Sequence, residues 1–184
     1  MEAFWISTGI VALAEIGDKT QLLALVLAAK YRKPVPIILG IFVATLLNHA
    51  VAGYFGAWLA ATIGEQMLKW ILGVSFIAMA GWMLIPDKLD EEEEKPARFG
   101  VFLTTLIAFF IVEIGDKTQV ATVFLAAKYA DVIAVVAGTT VGMMVANVPA
   151  VLLGEVAAKK LPMRLVHSVV AIVFLVLGLI ILFN

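Results

Sequence analysis

The 184-residue sequence has no cysteine, only two histidines, and little charge: Asp, Glu, Lys and Arg together make up 15%. Without cysteine there can be no disulfide, thiolate metal site or thiol nucleophile, and the redox compartment stays undetermined. No His-rich metal motif and no nucleophile–base constellation is present, so nothing points to an enzyme. Residues Met1–Trp5 include no basic side chain, which predicts a retained first helix rather than a cleaved signal peptide. The shortage of charge excludes an ordinary soluble domain, in which about 25% of residues are charged and about 45–50% apolar. Here 63% are hydrophobic and the mean hydropathy is +1.07. The expected class is an all-α integral membrane protein.

A spanning helix needs about 20 mostly apolar residues. Six segments meet that requirement, at 3–29, 35–61, 68–85, 99–127, 132–153 and 165–183. Tyr31-Arg32-Lys33-Pro34, Gly64-Glu65-Gln66, Pro86, Lys128-Tyr129-Ala130-Asp131 and the polar turn Glu155 to Arg164 separate them. Residues Asp87 to Arg98, with four consecutive glutamates at 91–94, form the one extended polar stretch. Such runs are usually solvated linkers, and gathering cations is the functional alternative.

Inside the first and fourth segments stands the same heptapeptide, Glu15-Ile16-Gly17-Asp18-Lys19-Thr20-Gln21 and Glu113-Ile114-Gly115-Asp116-Lys117-Thr118-Gln119. Residues 15–31 and 113–129 are identical at 12 of 17 positions at a constant offset of 98, and Gly40 and Gly138 keep that offset. Asn48 and Asn147 correspond after one extra residue, which leaves Val148 opposite His49. The chain is an internal duplication: a first three-helix repeat at 1–86, an acidic linker at 87–98 and a second three-helix repeat at 99–184. Three spans per repeat put the second copy into the membrane upside down, so the expected fold is six transmembrane helices as two inverted repeats. In transporters of that plan the substrate site lies at the repeat interface near the midplane.

Loop charge sets the orientation. Connections 1–2, 3–4 and 5–6 carry Lys30, Arg32, Lys33, Lys88, Lys95, Arg98, Lys159, Lys160 and Arg164, against Lys69 and Lys128 on the other side. The basic side is expected to face the cytoplasm, with both termini on the opposite face.

Ionisable residues in hydrocarbon are costly and mark functional sites. On a continuous helix, residues three and four apart share a face. Glu15 would then sit over Asp18 and Lys19 with Gln21 a turn further on, and Glu113, Asp116, Lys117 and Gln119 would repeat the pattern. Gly17 and Gly115 allow either close helix approach or a local break. If the two helices cross there, four carboxylates and two amides form one oxygen-lined site for a hard divalent cation such as Ca²⁺ or Mn²⁺. Each motif has a formal charge of −1 and the pair −2, a charge balanced by one divalent cation or two protons. Carboxylates crowded in a low dielectric bind protons when no cation is present, so the site has the elements of a cation/proton exchanger. The plainer account makes Glu15–Lys19 and Glu113–Lys117 simple i,i+4 ion pairs, but it leaves Asp18 and Asp116 without a task. Thr20, Thr118, Lys19 and Lys117 are expected around the ligands. Asn48 and Asn147 either extend the site or tie helices together. His49 is expected to be structural, and His167 to be incidental.

Two copies of E-x-G-D-K-T in spans 1 and 4 of a small six-span protein resemble uncharacterised protein family 0016. That family includes Golgi and chloroplast manganese/calcium transporters and bacterial manganese exporters. The resemblance covers essentially the whole chain. It implies a divalent cation/proton antiporter with Glu15, Asp18, Glu113 and Asp116 as cation-binding and proton-coupling residues. It further implies Mn²⁺ or Ca²⁺ as transported substrate, no resident cofactor and no nucleic-acid partner, in a bacterial plasma (inner) membrane. The oligomeric state is left open.

Overall fold

The computed structural model describes residues 1–85, 100–153 and 163–183. Among them every regular element is a helix: α1 (Glu2–Glu15), α2 (Lys19–Tyr31), α3 (Pro34–Thr62), α4 (Glu65–Met83), α5 (Gly100–Glu113), α6 (Lys117–Tyr129), α7 (Val132–Leu153) and α8 (Met163–Phe183). The acidic linker expected at 87–98 lies outside the described residues, as does most of the polar turn at 155–164.

The helix ends follow from local chemistry. Pro34 opens α3 at a position where its missing N–H costs nothing. Both Ala-Ala-Lys-Tyr sequences end their helices in the same way, with the next residue, Arg32 or Ala130, in the left-handed conformation at φ 51°. Lys30 and Lys128 fall in those last turns, at the negative end of the helix dipole. By length and composition, α3, α4 and α7 are long and apolar enough to cross a membrane.

Polar side chains are buried inside the bundle while many large apolar ones are exposed. Glu15, His49 and Asn147 are fully buried, whereas Val51, Ile172 and Val145 are 66%, 60% and 56% exposed. An apolar exterior around a few buried ionisable groups is what a lipid solvent selects. The buried apolar residues form two clusters. One gathers side chains of α1, α4, α6, α7 and α8 and includes the stacked pair Phe76–Phe174, with centroids 5.8 Å apart. The other draws on α2, α3, α5 and α7. Thus α1 and α6 share one cluster, and α2 and α5 the other.

The duplication is visible in the packing. α1 lies along α7, and its counterpart α5 lies along α3. At the first contact a Cβ on Gly138 would strike the carbonyl of Phe4; at the second a Cβ on Gly40 would lie 2.9 Å from the carbonyl of Phe102. Gly40 and Gly138, and Phe4 and Phe102, are each 98 residues apart. Each repeat therefore packs its long helix against the motif-bearing helix of the other, and small residues set the distance of approach.

Segments 2, 3, 5 and 6 match α3, α4, α7 and α8 to within three residues. Segments 1 and 4 do not run through as single helices. Each is divided at its heptapeptide, into α1 and α2 and into α5 and α6.

Candidate functional site

The division is a turn written into Glu-Ile-Gly-Asp. Asp18 N donates to Glu15 O at 3.0 Å, Ile16 has φ −63° and ψ 116°, and Gly17 has φ 80°. These are the features of a type II turn, whose third residue must tolerate positive φ. The second copy repeats it, with Asp116 N donating to Glu113 O at 3.1 Å and Gly115 at φ 74°. Asp18 and Asp116 then occupy the N-caps of α2 and α6. Asp-x-x-Gln is a capping-box spacing, and the glutamine closes the loop: Gly17 N donates to Gln21 Oε1 at 2.9 Å, and Gly115 N to Gln119 Oε1 at 2.7 Å. A Cβ at Gly115 would meet nothing within 4 Å, so glycine is needed there for conformation and not for space. Gly115→Ala is expected to cost about 1–2 kcal/mol from the left-handed backbone alone. Gly115→Asn should cost less, and thermal unfolding of the two variants checks the order.

The turns bring the carboxylates of both copies together. Glu15, Asp18 and Asp116 each offer an oxygen within 4.8 Å of the other two. All three side chains are buried. Glu113 stands one hydroxyl away: Thr118 Oγ1 lies 2.7 Å from Glu113 Oε1 and 3.1 Å from Asp116 Oδ2. A hydroxyl has a single proton, so both contacts are fully satisfied only when one carboxyl is itself protonated. Lys19 Nζ lies 2.9 Å from Asp116 Oδ1, an ion pair between the two repeats. Lys117 Nζ donates to Ile85 O at 2.8 Å. Asn147 Nδ2 donates to Glu15 Oε1 at 3.2 Å. The buried oxygens Glu15 Oε2, Glu113 Oε2 and Thr20 Oγ1 have no hydrogen-bond partner.

Chemically this is a compact all-oxygen cluster at two helix breaks. Counting Glu15, Asp18 and Asp116 against Lys19, its formal charge is −2, which one divalent cation would neutralise. Broken helices with ion-binding side chains at the break are a recurrent transporter device.

Two expectations need correction. The helical-face argument for Glu15, Asp18 and Lys19 fails because the chain turns between them, and Lys19 reaches across to Asp116. Gln21 and Gln119, expected among the ligands, accept from Gly17 N and Gly115 N through Oε1, and their Nε2 donates to Ala146 O at 3.0 Å and to Asn48 Oδ1 at 3.3 Å respectively. The pairing of Asn48 with Asn147 is wrong by one residue. At the constant offset of 98, Asn48 corresponds to Ala146 and His49 to Asn147. The contacts agree: Gln21 and Gln119 reach Ala146 and Asn48, and Glu15 and Glu113 face Asn147 and His49. His49 Nε2 is 3.5 Å from Glu113 Oε1. The offset already present in the sequence would have found His49, and Gly-Asp-x-x-Gln would have found the helix breaks.

The model of the family described as divalent cation/proton antiporter GDT1 matches residues 3–91 and 101–184, one stretch for each repeat. A Vibrio cholerae protein named "Putative manganese exporter" is 56% identical over 97% of this chain and 90% of its own length. A GDT1-like protein of Synechocystis is 25% identical over 95% of this chain and 93% of its own. GDT1-like protein 3 of rice is 25% identical over 95% and 71%. No solved structure matches. A family model that covers both copies of the motif, and a relative similar along nearly the whole of both chains, establish that this chain belongs to the GDT1 family of divalent cation/proton antiporters.

Proposed function

We propose that this protein expels Mn²⁺, or Ca²⁺, from the cytoplasm in exchange for entering protons, through one site built from both heptapeptides. The observation that carries the reading is the convergence of Glu15, Asp18 and Asp116 from two distant parts of the chain into one buried oxygen cluster. The ion binds as the carboxylates lose their protons; protons entering from the other side displace it. Charge conservation in hydrocarbon enforces the coupling, because an empty and fully ionised cluster is the costly state. Thr118 links Glu113 to the cluster, so a proton on Glu113 and a cation at Asp116 are sensed through one hydroxyl.

In this reading α1 with α2, and α5 with α6, are two broken spans, and with α3, α4, α7 and α8 they make two inverted repeats. Sharing of one apolar cluster by α1 and α6 and of the other by α2 and α5 supports opposite directions for the two broken spans. Alternating access would rock one repeat against the other around the shared site. The nine-to-two Lys/Arg bias supports basic connections in the cytoplasm and both termini outside it. A bacterial inner membrane suits that reading, as does the manganese exporter name of the Vibrio relative.

The test is Mn²⁺ and Ca²⁺ flux in proteoliposomes with equal metal on both sides. An imposed pH gradient should drive metal uphill, and a protonophore should abolish that movement. Metal that only equilibrates, whatever the pH gradient, would show a passive channel; no metal flux at all would point to a non-transport subunit.

A further inference from the structure

The two halves of the site pair the same acid with different partners. Glu15 faces Asn147, whose Nδ2 donates to it at 3.2 Å and also donates to Met143 O at 3.1 Å. Glu113 faces His49 at the equivalent position, with Nε2 to Oε1 at 3.5 Å. His49 is fully buried, and neither ring nitrogen has a hydrogen-bond partner. Leaving a buried polar atom unbonded costs about 1–3 kcal/mol, and an asparagine serves the other half without an imidazole. A spacing of 3.5 Å is too long for a strong hydrogen bond. It does fit two neighbouring donors on one ion: ligands at right angles and about 2.0–2.6 Å from a metal stand about 2.8–3.7 Å apart.

We propose that His49 is a specificity-determining ligand: its Nε2 and the Glu113 carboxylate form a mixed nitrogen/oxygen lobe that favours a transition-metal cation such as Mn²⁺ over Ca²⁺. The inference rests on the reading of a transported divalent cation and adds what the heptapeptides do not encode. Glu15, Asp18 and Asp116 supply oxygen alone, which Ca²⁺, Mg²⁺ and Mn²⁺ all accept. Ca²⁺ takes oxygen ligands, whereas imidazole nitrogen is a ligand for transition metals. Glu113 joins the cluster through Thr118, so an ion passing from the oxygen lobe to Glu113 meets a nitrogen donor on one side of the pseudo-symmetric site only.

The decisive experiment replaces His49 with the residue the other half uses. Mn²⁺ bound to the wild-type protein in nanodiscs should show a histidine-nitrogen modulation in pulsed EPR that changes on ¹⁵N-histidine labelling. His49→Asn should lose that modulation while still binding Mn²⁺, and its Mn²⁺-over-Ca²⁺ preference in proteoliposome uptake should fall by at least about tenfold, since even outer-shell changes at a metal site cost about 10–100-fold. His49→Gln gives the same comparison with a longer amide if the first variant does not fold. Asn147→His should raise the Mn²⁺ preference. A wild-type signal without histidine modulation, or an unchanged Mn²⁺-to-Ca²⁺ ratio in folded His49 variants, would overturn the proposal. Histidine modulation in a protein that shows no pH-driven exchange would leave His49 as a ligand and remove the antiport reading instead.

Discussion

Glu15→Gln is expected to fold normally and to lose proton-driven Mn²⁺ exchange by more than about 100-fold. The change keeps the shape of the side chain and an oxygen that Asn147 can still meet. It removes a charge and a protonatable oxygen from a cluster whose members lie within 4.8 Å. It also brings an NH₂ group to where the cation's positive charge would sit. With Lys19 included, the formal charge of the cluster falls from −2 to −1, which no longer balances a divalent ion. Loss of a direct ligand should exceed the 10–100-fold typical of outer-shell changes. Stability should move differently. Glu15 is fully buried with Oε2 unbonded, among like charges, so neutralising it should not lower the melting temperature of the metal-free protein. What it should remove is the rise in melting temperature that Mn²⁺ gives the wild type, because a ligand that binds only the folded state stabilises it by mass action. Parallel measurements of uptake and of melting with and without Mn²⁺ separate the two effects. A stable Glu15→Gln/Glu113→Gln double variant that exchanges at the wild-type rate would sink the shared-site mechanism.

The long apolar helices could be read from the sequence because each is a nearly uniform apolar run with a visible stop. Pro34 begins α3, and the turn at Ala130–Asp131 precedes α7. The duplication was equally plain, and with it the identity of the costly carboxylates. The local path of the chain through the heptapeptide was not apparent from a period of 3.6 residues. That rule assumes an unbroken helix, and Gly17 and Gly115 at positive φ break it. The signal was there in another form, since a glycine followed by an N-cap aspartate and an N3 glutamine is a start signal inside an apolar run. Asn48 and Asn147 are like residues at unlike positions: the backbone register keeps the offset of 98, and chemistry changes at one step along it. The partner of Lys19 lies 97 residues away in sequence, in the other motif. No spacing rule on one helix reaches that far; the loops meet through packing between the repeats, of α1 and α2 on α7 and of α5 and α6 on α3.

That cross-repeat ion pair gives the second large effect. Lys19→Met is expected to bind Mn²⁺ about tenfold more tightly, transport it more slowly and be less stable when empty. In the wild type, Lys19 Nζ neutralises Asp116 at 2.9 Å, with the lysine side chain 24% exposed and the aspartate 2%. In the proposed cycle an entering cation would compete with an ammonium already in place, and a leaving cation would be replaced by it. Without Lys19 the metal-bound state loses a repulsive neighbour, while the empty state holds a buried carboxylate with less compensation. Breaking a buried pair from one side costs about 3–5 kcal/mol, less here to the extent that Lys19 is solvated and Asp116 takes up a proton. Both changes favour the occupied site over the empty one, which tightens binding and slows release. A double-mutant cycle locates the effect: Lys19→Met and Asp116→Asn should be non-additive in stability by about 1–3 kcal/mol. Lys19→Met and Glu15→Gln should be closer to additive. If Lys19 merely pinned its own helix through Glu15, the larger coupling would fall on Glu15, and Lys19→Met would weaken Mn²⁺ binding along with the fold. Lys19→Met with wild-type affinity and turnover would show instead that the ion pair has no part in the exchange cycle.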